Sequence, residues 1–300
     1  MKDKLKKLGT SELSELEQRA DGLFIYAATA VKYLIPRSSI TVSEQKIMLK
    51  NLLSESRKPV SVGNGTLLID ELYRQIMFDI FLPLEGEVLF HRLRILHTIL
   101  CTAERTSAST VAVLLADSDD EPAKAVLNDL HAVLYSQNGQ ILWYHASFLD
   151  FMFDPARSNF RIGEKYFEFS CNEPAHHNLL AESCFQIMKS GLRFNMGDIQ
   201  SSFLFDCDNA AALAEQVNKN ISAVLRYSSH HWTHHLPSPQ SINLDNLFRL
   251  ISEFLQIRVL FWIEAMNLLK LRNQCTPMLQ RACEWVLKVW IIRFQLYCNN

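Results

Sequence analysis

The 300-residue chain has no charge excess, no paired-cysteine spacing and no long uninterrupted apolar run, and each absence narrows what it does. Its 30 Lys and Arg stand against 32 Asp and Glu, a formal net charge of -2. No general field therefore draws it to DNA, RNA or an anionic membrane. The seven cysteines (Cys101, Cys171, Cys184, Cys207, Cys275, Cys283 and Cys298) include no CxxC pair, and their odd number leaves at least one unpaired. Reduced thiols in an intracellular protein fit this better than a secreted disulfide framework. The charged amino end, Met1 to Lys7, is not followed by the apolar run of a secretory signal. The nearest candidate, Leu23 to Leu34, is short and contains Lys32, and later apolar stretches are interrupted by Arg249, Glu253, Arg258 and Glu264. A membrane span needs about 20 mostly apolar residues. The expectation is a cytoplasmic protein without membrane insertion.

What is present is helix-forming sequence with enough apolar residues, 48%, to build a core. Leu13, Leu16, Ala20, Leu23, Ala27, Ala30 and Leu34 recur by threes and fours, which predicts one helix over Glu12 to Leu34 ending before Pro36. Ser43 to Leu53 and Asp70 to Ile80 read as further helices. Between them, Ser54 to Thr66, with Pro59, Gly63 and Gly65, reads as loop.

The clearest order follows. Leu89 to Cys101, Ser107 to Leu115 and a third segment from Glu121 to Leu134 give three helices, with Asp119 or Asp120 as a cap and Pro122 in the first turn of the third. Extended pieces at Val133 to Ser136 and Ile141 to Tyr144 flank Asn138-Gly139, a strong hairpin signal because both residues tolerate positive φ. Three helices and a hairpin describe a winged helix. Ser147 and Asp150 have the spacing of a capping box for a short helix carrying Phe148, Phe151 and Met152. Beyond Pro155 come a mixed stretch, extended at Tyr166 to Phe169, and helices at Ala175 to Lys189, Asn209 to Tyr227, Leu244 to Leu271 and Pro277 to Tyr297, broken at Pro237-Ser238-Pro239.

Several short strings resemble the NACHT-type signal-transduction ATPases abundant in mushroom-forming fungi. They include Gly22 to Ala30, Leu72-Tyr73, Ala103 to Ser107, Leu130 to Leu134, Tyr144 to Phe151, His176-His177 with Cys184-Phe185, Leu192 to Asn195, and His230-His231-Trp232. The most specific, His145-Ala146-Ser147-Phe148-Leu149-Asp150-Phe151, looks like the closing motif of that family's winged helix. The resemblance implies a mainly α chain, divided into a helical remnant of the NTPase lid (1–35), a helical linker (36–89), the winged helix (90–155) and an α-helical array (156–300). It implies that His145 contacts the phosphates of ADP in a full-length relative, where ADP or ATP with Mg is the cofactor. It also implies an NTPase core or other domains of a larger protein as partners. Yet the chain has no G-x-x-x-x-G-K-[ST] string, so the backbone cradle, the lysine and the magnesium-binding hydroxyl of ATP hydrolysis are missing.

Other chemistry-bearing residues have plainer readings. His230-His231-Trp232-Thr233-His234-His235, with His176-His177 upstream, invites a metal. Zinc needs converging ligands, however, and adjacent histidines on a helix diverge, so packing and capping are the expectation. A Cys171, His176 and Asp206 triad has nothing in the sequence to make it converge. Cys184 and Cys283 read as small buried hydrophobes, and Phe148 to Phe153 and Phe203 to Phe205 as core. The helix before the wing offers only Lys124 among Glu121, Asn128, Asp129 and His131, a poor phosphate-binding surface. Trp285, Leu287, Val289, Trp290, Ile291, Ile292 and Phe294 cover more than one stripe of the last helix, which suits a missing domain or a homo-oligomer.

The sequence thus leads to a non-catalytic regulatory and scaffold region of a fungal innate-immunity type switch, with no catalytic residue, no metal and no cofactor of its own. Two alternatives stand beside it: a winged-helix nucleic-acid-binding protein, and an unrecognised hydrolase or metal-binding protein.

Overall fold

In a computed structural model, which describes residues 10–35, 42–53, 65–162, 164–199, 210–238 and 244–298, helices dominate. The first long helix is broken. α1 (Thr10–Ala20) and α2 (Phe24–Leu34) are separated by Asp21 and Gly22, both at positive φ (44° and 76°). The apolar spacing runs straight through this break, because a left-handed step followed by an immediate restart preserves the buried side. Leu16 and Ala20 before it and Tyr26, Ala30, Tyr33 and Leu34 after it are all buried. α3 (Val42–Leu53) and α4 (Gly65–Phe81) follow; most of the expected Ser54 to Thr66 loop lies outside the described residues. α4 is longer than its predicted core and buries Leu72, Tyr73, Ile76, Met77 and Phe81.

The described chain falls into two compact units, one made of residues 1–100, 105–109 and 120–171, the other of 101–104, 110–119 and 172–300. α5 (Gly86–Cys101), α6 (Ala108–Leu115) and α7 (Glu121–Asp129) match the three predicted helices, except that α7 stops five residues early. Asp120 caps α7 without a side-chain bond to its backbone; its carboxylate instead sits 2.8 Å from Lys124 Nζ. β1 (Leu134–Gln137) and β2 (Gln140–Trp143) pair antiparallel, Leu134 opposite Trp143, and Asn138 and Gly139 turn the hairpin with φ of 53° and 77°, as their side chains allow.

In the same unit, α8 (Ser147–Phe153) begins from Ala146, so Ser147 is inside the helix rather than its cap, and the capping box does not form. The Ser147 hydroxyl instead lies 2.8 Å from the Tyr73 hydroxyl, while the Tyr73 ring packs on Phe148 and Phe151 at 5.3 and 5.4 Å. After α9 (Pro155–Ser158), a second hairpin of β3 (Phe160–Ile162) and β4 (Lys165–Phe167) was only half anticipated. Its Phe160 and Phe167 gather with Phe169 at 5.6 to 6.1 Å between ring centres. The buried Asp70 on α4 receives two guanidinium bonds from Arg157, at 2.9 and 2.7 Å.

The second unit is helical. α10 (Glu173–Gly191) opens at Asn172, whose side chain accepts from Ala175 N–H. The predicted Asn209 to Tyr227 helix is two, α11 (Ala210–Asn220) and α12 (Ala223–His231); Ser222 between them accepts from Leu225 N–H and starts the second. The predicted Leu244 to Leu271 helix is α13 (Asp245–Glu253), a π-turn segment (Phe254–Arg258) and α14 (Val259–Leu268). α15 (Cys275–Cys298) closes the unit. Its core is aromatic: Trp232 lies 5.2 Å from Phe185, 5.4 Å from Phe254 and 6.1 Å from Trp262 between ring centres, and the Trp262 indole donates to Ser229 O at 2.8 Å. No helix among the described residues is long and apolar enough to cross a membrane.

Candidate metal centre

The histidines that the sequence treats as packing residues converge. α12 ends at His231, so Trp232 to His235 leave the helix in a turn, held by a bond from His234 N–H to His231 O at 2.9 Å. The two side chains that would diverge on a continuing helix are thereby redirected toward the first turn of α10. There His177 meets them: its ring centre is 5.5 Å from that of His234 and 5.1 Å from that of His235. The ligand-bearing atoms of His177, His234 and His235 all lie within 4.8 Å of one another.

Within this cluster the hydrogen bonds have a direction. Ala103 N–H, which can only donate, bonds to Tyr227 Oη at 3.0 Å. The Tyr227 hydroxyl then donates to its other partner, His235 Nε2, at 2.7 Å. A neutral His235 therefore carries its proton on Nδ1 and donates it to His177 Nδ1 at 2.9 Å. His177 in turn keeps its proton on Nε2, 3.7 Å from a Glu173 carboxylate oxygen one turn earlier on α10. The hydrogen-bonded chain runs from a backbone amide through a tyrosine to two imidazoles, with the exposed Glu173 carboxylate 3.7 Å beyond the second.

Burial sets the charge state. Desolvation, with repulsion from His177, His234, His231 and His176 added to it, pushes the fully buried His235 down to about 2. Burial and His234 lower His177, and Glu173 opposes them; burial and Arg281 lower His234. All three imidazoles are thus neutral at physiological pH, the form that binds metals. Burial drives Tyr227 strongly upward, so it stays a phenol and a donor. Beside His234 opens a cavity of about 520 Å³, lined also by Thr233, Leu236, Pro237, Arg281 and Lys288.

A second convergence lies at the end of α12. Glu104, His230 and His231 bring their ligand atoms within 4.8 Å, and the two rings are 4.2 Å apart between centres. His231 Nε2 is 3.3 Å from Glu104 Oε2 without the geometry of a hydrogen bond, and this buried nitrogen has no hydrogen-bond partner. Burial, with His230 adding to it and Glu104 opposing, lowers the His231 pKa.

These clusters correct three expectations at once. A chain that is non-catalytic, without a cofactor and confined to a scaffold role does not account for neutral imidazoles gathered from segments 58 residues apart. The convergence is hidden in the sequence because α12 ends at His231, so His234 and His235 do not follow helical spacing.

The other candidates are placed as follows. His145 is exposed at the start of α8; its Nδ1 accepts from Ser147 N–H at 3.1 Å and from the Ser147 hydroxyl at 2.9 Å, leaving its proton on Nε2. Asp206, Cys207 and Phe203 to Phe205 lie outside the described residues. Cys184 is buried as expected, but Cys283 is exposed. Lys124 is tied to Asp120 and Glu121 at 2.8 and 3.0 Å, so the helix before the first hairpin offers even less free positive charge than its composition suggests. Phe148, Phe151 and Met152 are core. On α15, Trp285 and Val289 are buried, while Leu287, Trp290, Ile291 and Phe294 are exposed.

No known family model matches the chain, and no curated protein or solved structure shows significant similarity to it.

Proposed function

We propose that this chain is a metal-binding protein of the hydrolytic kind, with His177, His234 and His235 holding a first-row divalent cation such as zinc. The observation that carries the reading is the meeting of three neutral imidazoles within 4.8 Å. Zinc binds imidazole nitrogen at about 2.0 to 2.1 Å, which spaces tetrahedral ligands about 3.3 Å apart. The 2.9 Å between His177 Nδ1 and His235 Nδ1 is thus a few tenths of an ångström from that spacing. Three histidines with a fourth position left open are a catalytic rather than a structural donor set, and a cation so held makes a bound water acidic enough to attack a carbonyl or phosphoryl centre. Glu173 faces His177 Nε2–H, as the outer partners of metal-bound histidines do elsewhere; a cation on His235 Nδ1 would move that ring's proton to Nε2, where the Tyr227 hydroxyl oxygen, 2.7 Å away, would accept it. The adjoining cavity, with Arg281, Glu284 and Lys288 on its wall, has the size of a small-molecule site.

Equilibrium dialysis of untagged protein against zinc, followed by elemental analysis, tests the reading. Tight zinc that is lost in His177→Ala supports it; weak, substoichiometric zinc unaffected by that substitution overturns it.

Two structural readings are proposed alongside. The hairpin β1–β2, following α5 and α7, supports a winged-helix arrangement. Kinship with the NACHT-type ATPases rests on the short sequence strings alone, of which Tyr144 to Phe151 is the most specific; an in-frame Walker A segment upstream in the gene would support it.

A further inference from the structure

We propose that Glu104, His230 and His231 form a second, separate divalent-cation site in the same unit, so that the protein takes up two cations. The inference rests on the metal-binding reading above but uses none of its ligands. Three observations carry it. The donor atoms converge within 4.8 Å. His231 Nε2 is buried and makes no well-aligned hydrogen bond, its close polar neighbour being the Glu104 carboxylate oxygen at 3.3 Å, another donor of the proposed site. The ring of His231 is also held in place, packed on Tyr227 at 4.9 Å between centres.

Tyr227 is fixed in turn by the amide of Ala103, the residue before Glu104. The same tyrosine therefore orients His231 by a tilted ring contact and His235 through its hydroxyl, so each cluster has one histidine packed or bonded to it. Two histidines and one carboxylate leave half of an octahedral shell open, the set that suits iron(II), cobalt(II), manganese(II) or zinc with bound water. The carboxylate is exposed and the first histidine half-buried, so the site loads from solvent without opening the core. Its charge differs from that of the first centre: one anionic ligand here, three neutral ones there.

Zinc stoichiometry by isothermal titration calorimetry and elemental analysis tests this on the full chain, comparing wild type, Glu104→Gln, His230→Ala and His177→Ala. Glu104 and His230 are accessible enough to be replaced without loss of fold, which circular dichroism verifies; Glu104→Gln serves should His230→Ala unfold. The proposal expects two equivalents in wild type and one in each variant. The remaining event should weaken less than about tenfold, while the deleted one weakens beyond the roughly 100-fold typical of outer partners. One equivalent in wild type that vanishes in His177→Ala refutes the second site and leaves the first reading standing. Two equivalents that persist in both Glu104→Gln and His230→Ala also refute it. No zinc in wild type overturns both.

Discussion

Replacing Tyr227 by Phe removes one oxygen from the middle of the hydrogen-bonded chain, and the structure fixes what is lost. Ala103 N–H loses its acceptor at 3.0 Å and His235 Nε2 its donor at 2.7 Å. The ring itself keeps its packing against His231 and His235, at 4.9 and 5.9 Å between centres, so no cavity term enters. A buried polar group left unsatisfied costs about 1–3 kcal/mol. His235 is wholly buried and incurs most of that range. Ala103 is half-buried, so water recovers part of its loss. Together they amount to about 2–4 kcal/mol. Urea unfolding of metal-free protein at pH 7.5 measures it as a shift in midpoint at constant slope. The chain also dictates a tautomer: ¹⁵N NMR of wild type should find the His235 proton on Nδ1 and the His177 proton on Nε2. A Tyr227→Phe protein within about 0.5 kcal/mol of wild type, the usual size of an inconsequential surface change, would refute the relay, as would the opposite tautomer at His235.

Three more outcomes follow from other parts of the molecule. Asp70→Ala strands the Arg157 guanidinium, which makes two bonds to this buried carboxylate, and should destabilise by about 3 kcal/mol, the low end for a broken buried pair because Arg157 keeps some exposure; chemical denaturation checks it. His97 donates to Phe169 O at 3.0 Å, and burial lowers its pKa below the ordinary 6.5. Its folded form thus resists the proton that its unfolded form accepts. Stability is whole above pH about 6.5 and is lost as the pH falls toward the folded value, by up to about 1.4 kcal/mol per pH unit; thermal melts from pH 7.5 to 5 should slope less in His97→Gln. Trp262→Ala empties a fully buried site and frees Ser229 O, costing about 3–5 kcal/mol in the same melts.

The sequence made the helices legible wherever burial repeats at 3.6 residues, and Asn138-Gly139 announced its hairpin because a positive φ at both positions is a local property. Breaks that leave the apolar side intact were invisible. Asp21-Gly22 and Ile221-Ser222 interrupt helices without interrupting the run of buried residues. The second hairpin was only half seen, as the pairing of Phe160 with Phe167 depends on contact rather than on spacing. The histidine cluster proposed as a metal centre was the least legible feature. Its first histidine enters from the N-terminal turn of α10 and the others from the turn after α12, and only the end of α12 at His231 makes His234 and His235 face the same space. Asn172 as a cap and Pro174 in the first turn were the available clues to where His176-His177 sit. Nothing in the order of residues indicated that Glu104 would meet His230 and His231.

The most direct test is anomalous diffraction at the zinc absorption edge from crystals of the full chain grown with two equivalents of zinc. The account predicts a peak with His177, His234 and His235 nitrogens at about 2.0–2.1 Å, the His235 proton having moved from Nδ1 to Nε2, where the Tyr227 hydroxyl oxygen accepts it. A map with no peak there, and the two Nδ1 atoms still at their 2.9 Å hydrogen-bond distance, would contradict it.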